Sequence, residues 1–132
     1  MGFEEIPHTA DWAVRVWAAD LPGLLAESAH AMNILAGVKT APEGRNTRSL
    51  ELEATDPESL LVALLSELLY IQEQENLALE HFDIHVDVDH LSATAESAPI
   101  ASIDKLIKAV TWHNLKIKLT EWGLEVVIVF DV

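Results

Sequence analysis

The sequence predicts an α+β fold, with one largely antiparallel β-sheet and two main helices packed on one side of it in two layers. Two observations favour this class. Two amphipathic stretches each begin at an aspartate that is followed closely by a proline, which is typical of a helix start. Alternating apolar and polar segments fill most of the remaining chain. The length of 132 residues predicts a single domain over residues 1–132, because such a chain can bury a substantial core.

The two helices have recognisable ends. Asp20 and Asp56 are the expected N-caps, and each has a proline in its first turn, where a missing N–H costs no helical hydrogen bond. Gly37 is expected to stop the first helix. The second helix has a wide leucine-rich face and is expected to end at 74–76.

The strands are predicted from alternation and from β-branched residues. They cover residues 12–18, 49–54, 79–89, 90–98, 107–112, 115–120 and 124–131. The last segment is apolar on both faces, which is typical of a central strand. Pro99 is expected to close the strand 90–98, and residues 39–47 are expected to be a loop because they are rich in Pro, Gly and charge.

Composition excludes several functions. The chain has 22 acidic and 8 basic residues, for a net charge of −14, which repels phosphate backbones and disfavours direct stable nucleic-acid binding. The same charge suits solubility alone, divalent cations or a basic protein partner. Cysteine is absent, so thiol nucleophiles and cysteine-based zinc sites are excluded. No membrane-length apolar run and no signal-peptide pattern is found, so a cytoplasmic protein without membrane contact is expected.

A row of histidines and aspartates follows one face of the segment 79–89. Same-face neighbours on a strand lie about 6.6 Å apart, from a rise of about 3.3 Å per residue. Two ligands of one zinc ion must approach more closely than that, since each lies about 2 Å from the metal. We therefore interpret the row as a solvated face and not as the main site.

The two ends of the chain form the first candidate site. If the strand after Asp11 pairs antiparallel with the last strand, Asp11 lies beside Asp131 and Val132. Their carboxylate and terminal oxygens are hard donors, which favour Ca²⁺, Mg²⁺ or Mn²⁺ over zinc. His8 and Thr9 would orient this site or stabilise a turn. A plain cap or turn role for Asp11 is the competing interpretation.

Lys108 and His113 form a second candidate cluster. His113 is expected in a turn between strands, and Lys108 is one of few basic residues. An acid–base or phosphate-contact role suits these groups, and so does an ordinary turn beside a solvated lysine. No glycine-rich phosphate loop, nucleophile elbow or metalloprotease histidine pair is found, so an independent enzyme is disfavoured.

Three pieces of the sequence together resemble the archease family. They are His8-Thr9-Ala10-Asp11, the segment Ile107–Leu115, and the final Phe130-Asp131-Val132. Their order and spacing agree with the family over nearly the whole chain. The family commonly has Tyr where Trp112 stands and often Asp at Asn114, and the missing carboxylate weakens any catalytic role for Asn114.

The resemblance implies an accessory protein of an RtcB-type RNA ligase in tRNA splicing and RNA repair. Archeases promote guanylylation of that ligase by GTP and its multiple turnover. By motif, the family's metal ligands correspond to Asp11, Asp131 and Val132, with Ca²⁺ expected first and Mg²⁺ or Mn²⁺ as alternatives. Lys108 corresponds to the family's late lysine, and with His113 it is a candidate contact to the ligase or its nucleotide.

Two other classes of function remain open at the level of sequence. One is a free-standing metal-dependent hydrolase or nucleotide-modifying enzyme that uses Asp11, Asp131, His8 and His113. The other is a chaperone-like binding module, which requires an exposed apolar patch.

Overall fold

The computed structural model describes residues 1–6 and 12–132. Within these ranges two helices and nine strands are found, which confirms the α+β prediction. The elements are β1 (Gly2–Ile6), β2 (Trp12–Ala18), α1 (Leu21–Ala36), β3 (Lys39–Thr40), β4 (Asn46–Glu53), α2 (Pro57–Glu75), β5 (Leu77–Asp87), β6 (His90–Ser102), β7 (Ala109–Val110), β8 (Lys118–Thr120) and β9 (Gly123–Asp131). Neither helix is long and apolar enough to cross a lipid bilayer, in the part of the chain that the structure describes.

The strands form two antiparallel sheets, where the sequence predicted one. The first sheet has the order β1-β2-β9, and both β7 and β8 pair with the other side of β9. The second sheet is built around β6, which pairs with β3, β4 and β5. Alternation identifies a strand but does not identify its partner, so the division into two sheets was not visible in the sequence.

Both helices begin and end where the sequence predicted. The Asp20 and Asp56 side chains each accept a hydrogen bond from the backbone N–H three residues later, at 2.8 and 2.7 Å. Gly37 and Asn76 end the helices in the left-handed conformation, with φ of 67° and 55°. The backbone N–H of Ser59 holds the pKa of the Asp56 carboxyl below its usual value, because that hydrogen bond favours the charged form.

The core joins both helices to both sheets. Helix α1 contacts β2 and β5, while α2 contacts β4, β5 and β7. The strand β9 is central, as predicted, because β2 lies on one side of it and β7 and β8 lie on the other. Its buried side chains therefore fix the position of the residues at its end. Large side chains that are fully buried include Val14, Leu24, Leu25, Leu61, Leu64, Leu91, Ile128 and Phe130.

Several details of the strands differ from the prediction, and the predicted strands 107–112 and 115–120 are shortened to β7 and β8. Strand β1 was not predicted, and the short β3 lies in the segment expected to be a loop. Pro99 lies within β6, although it was expected to close it. The strand continues through Pro99, whose carbonyl still accepts a hydrogen bond from Ala41 N–H at 2.8 Å although the residue has no N–H to donate.

Candidate functional site at the end of the last strand

The pairing of β2 with β9 carries the first candidate site. The two strands are antiparallel neighbours, with Trp12 opposite Phe130 and Ala18 opposite Leu124. The start of β2 therefore lies beside the end of β9, which is the relation that the prediction required. Asp11 and its neighbours His8 and Thr9 lie outside the described residues. Of the predicted ligands, Asp131 and Val132 lie within the described residues.

Asp131 presents its carboxylate to solvent. Phe130 is fully buried, and side chains alternate along a strand, so Asp131 points away from the core. Val132 is half-buried and packs against the core. The backbone carbonyl of Asp131 accepts a hydrogen bond from Lys108 N–H at 2.8 Å. The side-chain carboxylate is therefore the part of Asp131 that is left to bind a ligand.

The structure brings Lys108 to the same place. Strand β7 pairs with the end of β9, with Ala109 opposite Asp131 and Val110 opposite Phe130. Lys108 immediately precedes β7 and its side chain is exposed, while Ile107 and Val110 on either side are buried. The sequence predicted the chain end and Lys108 as separate clusters. In the structure they lie together, because both flank the pairing of β7 with β9.

His113 lies in the turn that follows β7. The turn is closed by a hydrogen bond from Leu115 N–H to the Trp112 carbonyl at 3.2 Å. Asn114 has a φ of 51°, a left-handed conformation that asparagine adopts more readily than most residues. The exposed His113 ring has its Nε2 atom 3.3 Å from the Asn114 amide nitrogen. Asn114 thus shapes the turn through its backbone conformation, and its side-chain amide contacts the imidazole of His113.

Glu58 holds this segment against helix α2. Its carboxylate accepts a hydrogen bond from Ile117 N–H at 2.9 Å, across a sequence separation of 59 residues. Leu115 and Ile117 pack against the core, while Lys116 between them is exposed. Glu58 also lies in the first turn of α2, where a negative charge suits the helix dipole. No local pattern could have revealed a contact over such a separation.

The histidine–aspartate row on β5, which the sequence predicts to be a solvated face, begins beside a group of ion pairs. His81 lies near Glu80 and Glu96, and one ligand atom from each comes within 4.8 Å of the others. Arg45 forms ion pairs with both of these carboxylates, at 2.8 Å to Glu80. The pKa of Arg45 is raised most by its hydrogen bond to Glu80 and next by its hydrogen bond to Glu96. The two carboxylates therefore already have a cationic partner.

Two of the surface cavities lie beside the helices. One, of about 310 Å³, lies between α1 and β5 and includes His30 and Phe82 in its lining. The other, of about 450 Å³, lies between α2 and residues 106–109. We call the second cavity the α2 groove. It includes Lys108 and Ala109 in its lining, so it is continuous with the candidate site.

Comparison with known proteins assigns the class of this small α+β protein. The Archease protein family (MTH1598/TM1083) matches residues 3–132. The chain therefore belongs to the archease family, as the resemblance of its three motifs indicated.

Several relatives agree in length with this chain. The protein archease of Methanosarcina barkeri is 31% identical over 140 residues, which cover 98% of this chain and 95% of that protein. The protein archease of Methanothermobacter thermautotrophicus is 32% identical over 130 residues, which cover 93% and 92%. Agreement over nearly the full length of both proteins extends beyond the three motifs.

Solved structures share the fold. The solution structure of protein 1598 of Methanobacterium thermoautotrophicum has a TM-score of 0.74 at 25% identity and covers 99% of each chain. An archease of Thermotoga maritima, described as a possible chaperone, has a TM-score of 0.72 at 24% identity, with coverages of 98% and 96%. The arrangement of two sheets and two helices is therefore that of archease structures.

Proposed function

We propose that this protein is an accessory activator of an RtcB-type RNA ligase in tRNA splicing and RNA repair. It promotes guanylylation of the ligase by GTP and supports multiple turnover, and it is not itself the catalyst. Membership of the archease family supports the role. The observation that carries it onto this chain is the pairing of β2, β9 and β7, which brings Lys108 and Asp131 together beside the start of β2.

We propose that Asp11, Asp131 and Val132 hold a divalent cation. Ca²⁺ is the expected ion, and Mg²⁺ and Mn²⁺ are the alternatives. The described donors suit such an ion, because the Asp131 carboxylate is exposed and carboxylate oxygens are the ligands that hard cations take. The ion would supply positive charge toward phosphate groups. His8 and Thr9 are proposed to orient the ligands.

Lys108, whose backbone N–H bonds to the end of β9, adds a compact positive charge at this end of the protein. An ammonium group is well suited to contact a phosphate or a carboxylate as a point charge. Its backbone is fixed by the hydrogen bond to Asp131, so the lysine stem starts from a defined position. We propose that Lys108 contacts the ligase or its nucleotide, and that His113 lies at the margin of the same contact.

The net charge supports a protein partner. At −14, the chain is attracted to a basic surface, and such attraction accelerates association with a basic active site. An activator needs to present charged groups in an ordered arrangement, and it does not need a complete nucleophile and base. The ordered end of β9 meets that requirement.

The test is a multiple-turnover RNA ligation assay with the cognate ligase, with and without this protein. We expect the wild type to stimulate turnover, and Asp11→Ala and Asp131→Ala to lose most of the stimulation. Asp83→Ala is the matched control, since it removes an exposed carboxylate from β5 in the other sheet. Absence of stimulation by the wild type would overturn the proposal. Hydrolysis of substrates by this protein alone, with an indifferent ligase, would instead establish the free-standing enzyme.

A separate titration tests the cation. Calorimetry with Ca²⁺ should show binding to the wild type and a loss of at least about tenfold in affinity for Asp131→Asn, since one charged ligand becomes neutral. Equal affinities of the two proteins would show that Asp131 is not a ligand.

A further inference from the structure

The α2 groove is bordered by apolar side chains that face solvent. Tyr70 on α2 is 59% exposed, and Leu106 on the opposite wall is 64% exposed. Ile107, next to Leu106, is buried in the core, so the wall is anchored while Leu106 is directed outward. Large apolar residues that border a concave surface are typical of a site for another molecule.

The segment that forms one wall of this groove belongs to a lysine-rich part of the chain. Residues 105–118 contain four of the eight basic residues, Lys105, Lys108, Lys116 and Lys118, and no acidic residue. The three arginines of the chain are already in ion pairs within the protein. Of these four lysines, Lys108 lines the groove and Lys105 directly precedes Leu106 in the sequence, so the wall of residues 105–109 carries two positive charges. Glu73 lies in the other wall.

Local charges dominate at such a site. At physiological salt the Debye length is about 8 Å, so acidic residues on distant faces are largely screened from the groove. A ligand that enters the groove meets an apolar floor, with Lys108 on one side and Glu73 on the other. An apolar side chain with a carboxylate next to it on the Lys108 side complements these features.

We propose that the α2 groove is a docking surface for the ligase, and that it receives an apolar side chain of the ligase that lies next to acidic residues. This inference rests on the proposed function and adds a second contact to it. Lys108 and Ala109 line the α2 groove and also flank the end of β9. A partner that contacts Asp131 can therefore contact the groove through one continuous surface. The groove supplies affinity, whereas the end of β9 supplies activation.

The division of roles can be measured with full-length proteins. We would compare Leu106→Asp with Ile34→Asp, a matched control on helix α1 that is 55% exposed and borders the other cavity. Binding to the ligase would be measured by calorimetry, and ligation would be followed against the concentration of this protein. Circular dichroism and thermal melting would show that both variants fold, which their exposure predicts.

The expected results separate docking from activation. Leu106→Asp should raise the Kd for the ligase by at least about tenfold, because a charge in the contact removes an apolar anchor. At saturating concentration it should still reach the wild-type plateau of turnover, whereas Asp131→Asn should have a lower plateau. Lys105→Gln should weaken binding and reduce its dependence on salt.

Two outcomes are distinguishable as failures. Suppose that the wild type stimulates ligation, but that the Kd of Leu106→Asp for the ligase is within about twofold of the wild-type Kd, or rises no more than that of Ile34→Asp. The assignment of the α2 groove as a docking surface is then wrong, and the proposed function stands. If the wild type neither binds nor stimulates the ligase, the proposed function and the docking surface fail together.

Discussion

Removal of the Glu58 carboxylate is predicted to release the segment that carries His113. The Glu58–Ile117 hydrogen bond joins the first turn of α2 to this segment at 2.9 Å, and both residues are half-buried. A hydrogen bond to a charged group contributes about 1.5–3 kcal/mol. Because water reaches a half-buried N–H in part, we expect Glu58→Ala to lower the free energy of unfolding by about 1–2 kcal/mol.

The expected change in melting temperature follows from the size of the chain. With an unfolding entropy of about 2.1 cal/mol/K per residue, 132 residues give a loss of roughly 4–7 °C in the thermal midpoint. Glu58→Gln keeps a neutral acceptor and should lose about half as much. Scanning calorimetry measures both values.

Amide hydrogen exchange of Ile117 separates this cause from a general loss of helix stability. In Glu58→Ala the Ile117 amide should exchange faster, while amides in the middle of α2 should change little. Glu67→Ala, which removes a carboxylate from the middle of the same helix, is the control and should leave Ile117 protected. If Ile117 exchanges equally in Glu58→Ala and the wild type, the anchoring role of Glu58 is wrong.

Three further predictions concern the fold. Asp56→Asn keeps the capping acceptor but removes its titration. The folded pKa of Asp56 is lowered from 3.8, so the ionised carboxylate stabilises the fold above that value, and this stabilisation is lost as pH falls through the folded pKa. The melting temperature of Asp56→Asn should therefore fall less in acid than that of the wild type. Gly123→Ala should destabilise by more than about 1 kcal/mol in denaturant titrations, since φ is 143° and a Cβ would clash with the Ala18 carbonyl oxygen. Phe130→Ala should cost about 3–5 kcal/mol by the same measurement, because Phe130 is fully buried.

The helices could be predicted closely because their signals are local. A capping aspartate, an early proline and a left-handed terminal residue each act within a few residues, and the structure has all three at the expected positions. The central position of β9 was also predictable, because a strand that is apolar on both faces must be covered on both. The structure confirms both predictions.

The partners of the strands and the contacts of the site depend on distant residues. Whether β4 pairs with β6 or with β2 cannot be deduced from alternation, and this choice divides the strands into two sheets. The backbone contact between Lys108 and Asp131 likewise depends on β7, a two-residue strand that is too short to have a periodic pattern. The α2 groove was not predicted because Leu106 follows no amphipathic pattern that marks it as exposed.

Formation of the covalent ligase–guanylate adduct tests the central proposal most directly. The adduct from radiolabelled GTP would be measured for the ligase alone, with the wild type, and with Asp131→Asn at a concentration that saturates the ligase. We predict that the wild type accelerates adduct formation and that Asp131→Asn binds without accelerating it. Equal acceleration by Asp131→Asn and the wild type would contradict the assignment of the end of β9 as the activating site.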